Sequence, residues 1–172
     1  MKRSEVNKAL KELEAMCEKH HCYLPPFCYF TPEHIGHEYD EVRDCMLGWD
    51  ITDYGTGNFD KFGFSLITIH YGNRSMEDKY PKVYAEKLLY LKEDQYAPNH
   101  FHWFKTEDII NPGGGNVFIQ VYNSLPNEEV NYKSDITVHT DNRFNPPVGR
   151  FPSIEEDEAP YRLLCNEYPV AK

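Results

Sequence analysis

The sequence predicts an all-β fold, a sandwich or barrel, carrying one helix at its N-terminus. Short runs of β-branched and aromatic residues recur from Cys45 onward, separated by glycine, proline and asparagine turn signals. One amphipathic stretch precedes them. No apolar run approaches the length of a transmembrane helix.

The helix is expected over residues 5–19, where Val6, Ala9, Leu10, Leu13 and Met16 recur at spacings of three and four, with Ser4 as its cap. His20, His21 and Cys22 invite a metal reading, but they stand beside the Pro25-Pro26 break, which predicts a solvated helix end. Thr31-Pro32-Glu33 has the pattern of a cap with proline at the first helical position, so a short helical turn follows. His34 and His37 would be neighbours on that turn, with no acidic or cysteine partner set beside them by the pattern.

Asp53-Tyr54-Gly55-Thr56-Gly57-Asn58 reads as a turn, 62–71 as a strand, 72–79 as a polar loop and 83–91 as a second strand. Pro98 leads into a third strand, and Asn111-Pro112-Gly113-Gly114-Gly115-Asn116 closes it in a tight turn. No Lys-Ser/Thr follows those glycines, so they are not a phosphate loop. Residues 117–122 and 136–139 are expected as strands, and 162–168 can form a final one after a proline-rich acidic stretch. A single domain is expected over 1–172: a helical extension (1–44), barrel strands (45–140) and a C-terminal tail (141–172).

The formal net charge of -10, with no cluster of Lys and Arg, argues against nucleic acid as a partner. Met1-Lys2-Arg3-Ser4-Glu5 runs into an amphipathic segment rather than a signal-peptide core, so a cytoplasmic protein without membrane attachment is expected. The five cysteines (Cys17, Cys22, Cys28, Cys45 and Cys165) lack CxxC spacing and read as free buried thiols.

The chemistry concentrates in Asn99-His100-Phe101-His102-Trp103, followed by Glu107-Asp108. On an extended strand His100 and His102 project to one face, and two neutral imidazoles with a nearby carboxylate supply three ligands for a divalent ion. Glu107 lies an odd number of residues beyond His102 and needs a bulge to reach that face, whereas Asp108 has the right parity without one. Both carboxylates stay open on this reading. In the preceding strand Glu86 and Lys87 interrupt apolar residues. Lys87 either points inward with Val83 and Leu89, where a buried ammonium needs a partner or substrate, or the strand has one polar edge.

Tyr84-Ala85-Glu86-Lys87, His100-Phe101-His102-Trp103, Glu107-Asp108-Ile109-Ile110-Asn111 with its glycine turn, Ser134-Asp135-Ile136-Thr137-Val138 and Leu164-Cys165-Asn166-Glu167-Tyr168 resemble the D-lyxose isomerase family of the cupin superfamily. The opening resembles it too, from Met1-Lys2-Arg3-Ser4 through Leu24-Pro25-Pro26-Phe27 to Leu47-Gly48-Trp49-Asp50. The resemblance implies a cupin, or jelly-roll, barrel that interconverts D-lyxose and D-xylulose with manganese (Mn2+). It implies metal ligands at His100, His102 and Glu107, an active-site lysine at Lys87, and a homodimer or larger homo-oligomer. Glu86 and Asp108 are weaker candidates, for proton transfer or for supporting the ligands.

This chain departs from the pattern at one place. In the family, some tens of residues separate the strand matching Ser134–Val138 from the tail. They hold the second cupin motif with a fourth, histidine ligand and then the expected catalytic glutamate. Here Thr140-Asp141 runs directly into Asn142-Arg143-Phe144, which, read as an internal deletion, would leave the barrel incomplete. His139 is the one local candidate for the missing ligand. A second reading follows: a degenerate cupin that binds metal or sugar without turnover, or acts only through self-association. Lost barrel strands expose edges that must be paired, covered or shared with another subunit.

Overall fold

The computed structural model describes residues 1–34, 36, 39–100, 107–112, 115, 117–136, 139–140 and 143–144. The chain divides into two compact units, Met1–Tyr96 and Ala97–Lys172.

In the first unit, helix α1 spans Arg3–Lys19. It begins one residue before the expected cap: Ser4 lies inside the first turn, and the Glu5 carboxylate accepts the Lys2 N–H at 2.6 Å. A longer acceptor three residues on replaces the short hydroxyl as the partner of an orphan donor. Ala9, Leu13 and Cys17, at successive spacings of four, are its buried residues. His20 and His21 are exposed beyond its end, as a solvated terminus requires. Short 3-10 turns follow at Pro26–Tyr29 and Pro32–His34. The second is the turn expected after Thr31, whose hydroxyl donates to the Glu33 carboxylate.

Helix α2 (Asp40–Asp44) precedes three antiparallel strands in the order β1 (Gly48–Thr52), β2 (Phe64–Tyr71) and β3 (Ala85–Tyr90). The last two are the expected strands 62–71 and 83–91, shortened at their ends. Gly63 immediately precedes β2 at φ +128, where an added Cβ would overlap the Thr52 carbonyl oxygen, so this entry needs glycine.

Residues directly opposite in an antiparallel sheet share a face. Trp49, Ile67 and Leu88 form one row, and Ile51, Ser65 and Tyr90 the next row on the same side. That side packs on α1. Leu13, Cys17, Cys28 and Ile67 make the buried cluster, with Met16, Cys22, Leu24, Phe27, Trp49, Ile69, Leu88 and Tyr90 around it. Trp49 Nε1 donates to the Cys28 carbonyl at 2.6 Å, which satisfies the indole inside this core. The intervening rows, Asp50 with Leu66 and Leu89, and Gly48 with Thr68 and Lys87, lie on the opposite face.

Polar ties hold the edges of this unit. Asp44 of α2 receives Lys79 Nζ at 2.9 Å and Tyr80 Oη at 2.8 Å, while Asn73 Nδ2 donates to the Asp44 carbonyl at 2.8 Å. Lys92, just past β3, meets Glu12 of α1 at 2.8 Å.

In the second unit β4 (Asn123–Ser124) pairs antiparallel with β5 (Val130–Asn131), and β6 (His139–Thr140) with β7 (Arg143–Phe144). Asn111 Nδ2 donates to the Gly115 carbonyl at 2.8 Å across the expected glycine turn. The expected strand 117–122 is corrected: it joins no ladder among the described residues and leads directly into β4. Expected strand 162–168, and most of the histidine strand, fall outside the described residues. The described strands form a β-rich fold with an N-terminal helix, as expected, and no closed barrel among the described residues.

Candidate functional site

Lys87 stands on β3, opposite Thr68, on the sheet face turned away from α1. It is exposed, and its Nζ lies 5.3 Å from the centre of the Tyr71 ring. The inward reading of this strand is corrected: Lys87 and Leu89 are both exposed on the face away from the core, Leu88 and Tyr90 take the buried side, and Val83, also exposed, precedes β3. Glu86 pairs with His70 next to a bulge at Ile69 and is exposed. The same end of β2 is braced by His70, whose Nε2 donates to the Lys82 carbonyl at 3.1 Å and whose ring stacks on Tyr84 at 4.2 Å. Thr68 and Asp50 share the Lys87 face and were not singled out from sequence. The alternation of Trp49 and Ile51 around Asp50 is the signal that could have found β1.

His100 is half-buried, and its Nδ1 stands 2.9 Å from the Pro98 carbonyl oxygen. A carbonyl only accepts, so Nδ1 is the donor in this contact. This is the arrangement by which metal-binding imidazoles are commonly oriented: one nitrogen donates to a carbonyl or carboxylate and the other faces the ion.

Glu107 is half-buried, whereas Asp108 beside it is exposed. His102, the second imidazole of the motif, lies outside the described residues, as do the side chains of His34, His37 and His139. Of His139 the backbone is described, paired with Phe144. Among the described residues no group of three or more His, Cys, Asp and Glu side chains converges as a metal site.

The four described cysteines are free thiols, as expected, and Cys165 lies outside the described residues. Cys17, Cys28 and Cys45 are buried and unbridged, and Cys22 is half-buried. Burial pushes the Cys17 thiol up to about 11, with Cys22 alongside adding to the effect. Burial also lifts Cys28 to about 11. These groups are inert packing, not nucleophiles. No helix among the described residues is long and apolar enough to cross a membrane.

The D-lyxose isomerase family pattern matches residues 1–141 and again 138–168. The chain belongs to the D-lyxose isomerase family. It is 33% identical to a D-lyxose/D-mannose isomerase of Escherichia coli O157:H7 over 225 aligned positions, covering 98% of each chain. It is also 33% identical to a D-lyxose/D-mannose isomerase of Serratia proteamaculans over 224 positions, again covering 98% of each. Membership makes this chain one of a family of sugar isomerases.

The match also locates the departure seen in the sequence. An alignment of 225 positions on a chain of 172 residues leaves at least 53 positions (225 less 172) with no residue here. The two matched segments meet at 138–141, on β6. Lys87, His100, His102 and Glu107 all lie in the first segment, and His139 lies at the junction.

Proposed function

We propose that this chain is a metal-dependent aldose-ketose isomerase that interconverts D-lyxose and D-xylulose, with manganese as the ion. The observation that carries the proposal is the family match over the first 141 residues, which contains every candidate ligand in order. The Nδ1 contact of His100 with the Pro98 carbonyl supports it, because metal-binding imidazoles are commonly oriented by such a bond.

His100, His102 and Glu107 would hold the ion, and the half-burial of Glu107 against the exposure of Asp108 favours Glu107 as the carboxylate. Imidazole and carboxylate together suit manganese and equally zinc, iron or cobalt. When bound, the ion supplies a Lewis acid for the sugar carbonyl.

The reaction itself is a proton shift. A base takes the proton from the second carbon of the aldose and returns it to the first, while the second hydroxyl gives up its proton and the first oxygen gains one. The intermediate is a cis-enediol whose oxygens are transiently anionic. The Lys87 ammonium is the group proposed to stabilise that charge, and Glu86 and Asp108 are the proposed candidates for carrying the proton. D-mannose repeats the configuration of D-lyxose over the shared carbons, so it is the second sugar to assay.

The interruption at 138–141 favours a second reading, a family member that retains metal or sugar without turnover. Catalysis fails when one member of a cooperating set is lost, while binding degrades more gradually. The deciding experiment is conversion of D-lyxose to D-xylulose by the purified protein of verified mass, with manganese and with chelator. Turnover that needs manganese and disappears in His100→Ala supports the isomerase. Manganese retained by the protein and lost in His100→Ala, with no turnover, supports the second reading and overturns the first.

A further inference from the structure

Strand β2 changes the side it presents part-way along its length. Thr68 pairs with Lys87, but the next pair is His70 with Glu86, so β2 takes two steps where β3 takes one. Ile69 is the extra residue of a β-bulge, and it packs against the α1 core cluster as Ile67 does. His70, opposite Glu86, has the parity of Leu88 and Tyr90, which belong to the core side. Two successive residues of β2 therefore keep to one side, and Tyr71 falls on the other, opposite Ala85. Ala85, Lys87 and Leu89 alternate onto that same face. Without the bulge, Tyr71 would join Ile67 and Ile69 on the helix side.

The result is a diagonal cross-strand pair, a separation that aromatic and long side chains can bridge. Lys87 Nζ lies 5.3 Å from the centre of the Tyr71 ring, inside the roughly 6 Å over which a ring face attracts an ammonium. The backbone around Tyr71 is pinned on both sides of the pair. The His70 ring stacks on Tyr84 at 4.2 Å, its Nε2 donates to the Lys82 carbonyl at 3.1 Å, and the Gly72 N–H donates to the Tyr84 carbonyl at 2.9 Å. An added Cβ at Gly72 would lie 2.3 Å from the Val83 Cα, so the two segments close here only around glycine.

We propose that Tyr71 is a positioning residue for Lys87: its ring, delivered to this face by the bulge at Ile69, holds the ammonium in one place over the sheet. The proposal rests on the reading of Lys87 as the group that meets the developing oxyanion. A lysine on an exposed strand otherwise spreads its charge over many rotamers, and ordering it in the transition state would cost rate. A ring face supplies the ordering without neutralising the charge, and it leaves the three N–H donors for substrate oxygens.

The test has a structural arm and a kinetic arm, both on the full chain. Lysines carrying carbon-13 dimethyl groups report ring currents by NMR, and the Lys87 signal is the one missing from Lys87→Met. It should lie upfield in the native chain and in Tyr71→Phe, and return to the position of exposed lysines in Tyr71→Leu, with circular dichroism showing that each variant keeps α1 and the sheet. An unshifted Lys87 signal in the native chain overturns the proposal whether or not the protein turns over. In the kinetic arm, with manganese, Tyr71→Leu should lower kcat for D-lyxose by about three- to fivefold with KM nearly unchanged, and Tyr71→Phe should keep most of the rate. Tyr71→Leu added to Lys87→Met should lower kcat no further, because the two side chains act as one unit. The same loss with and without Lys87 would make Tyr71 a structural residue only and overturn the proposal. A shifted signal with unaltered kcat in Lys87→Met would instead overturn the reading of Lys87 on which it rests.

Discussion

Truncation of Ile67 to alanine tests the sheet register on which the placement of Lys87 rests. Ile67 is 0% exposed on the central strand, between Trp49 and Leu88 in its row and against Leu13, Cys17 and Cys28. Alanine removes three carbon groups, whose transfer from water is worth about 2.5 kcal/mol at about 0.8 kcal/mol each. The cavity left in a helix-on-sheet core that relaxes only in part adds roughly 1 to 2 kcal/mol. The expected loss is about 3 to 4 kcal/mol, a large part of the roughly 5 to 15 kcal/mol that holds an ordinary domain together.

Leu89→Ala is the paired control. It removes as many carbons from a side chain 46% exposed on the other face, so its cost should be about 1 kcal/mol or less. Urea unfolding followed by circular dichroism measures both. A strand slipped by one residue would exchange the two faces. Equal losses, or a larger loss for Leu89→Ala, would therefore refute the register and put Lys87 on the helix-covered side.

Lys87→Met should lower kcat for D-lyxose by about 10²-fold or more with little change in KM, as expected of a group that meets charge developing in the transition state. Its melting temperature should be nearly unchanged, because Lys87 is exposed; unaltered kcat would remove it from the proposed machinery. Hydrogen bonds from Lys79 first, and then from Tyr80, lower the Asp44 carboxyl from its ordinary 3.8 to about 2. Because the folded value is the lower one, its stabilisation is complete above the ordinary value and is lost as pH falls toward about 2. Unfolding midpoints at about pH 5 and about pH 3 should fall further apart in the native chain than in Asp44→Asn, and equal gaps would contradict the assignment. Cys17 and Cys28, raised from an ordinary 9.0 to about 11, should alkylate about a hundredfold more slowly at about pH 8 in the folded protein than in urea. Mass spectrometry of the labelled peptides resolves this, and native rates within about tenfold of the unfolded ones would count against it.

Much of the first unit was legible because its signals are local. The spacing of Ala9 and Leu13 marks one helical face whatever packs against it. The β-branched and aromatic run 64–71 reads as a strand for the same reason, and 85–90 does so by its place in an alternating stretch. Cys17 extended the buried stripe of α1 by one more turn, a position that apolar spacing alone did not claim. Among the candidate site residues, the histidine pair and the two carboxylates were visible as residue types at a spacing, and the likeness to the family named their order. The sequence could not show that Pro98 offers its carbonyl to His100, since that bond depends on the path of the backbone between them.

The residues themselves determined the N-terminal helix, the strand-forming runs, the free thiols, and the membership that makes this chain a sugar isomerase family member. Each rests on side-chain chemistry or on spacing along the chain, which survives without knowledge of contacts. Only the tertiary structure decided which strand face α1 covers. Alternation separates Lys87 from Leu88 but does not say which of them meets the helix. It likewise decided that 117–122, with every mark of a strand, joins no ladder among the described residues. A strand is completed by a partner distant in sequence, and its own residues carry no record of whether that partner exists.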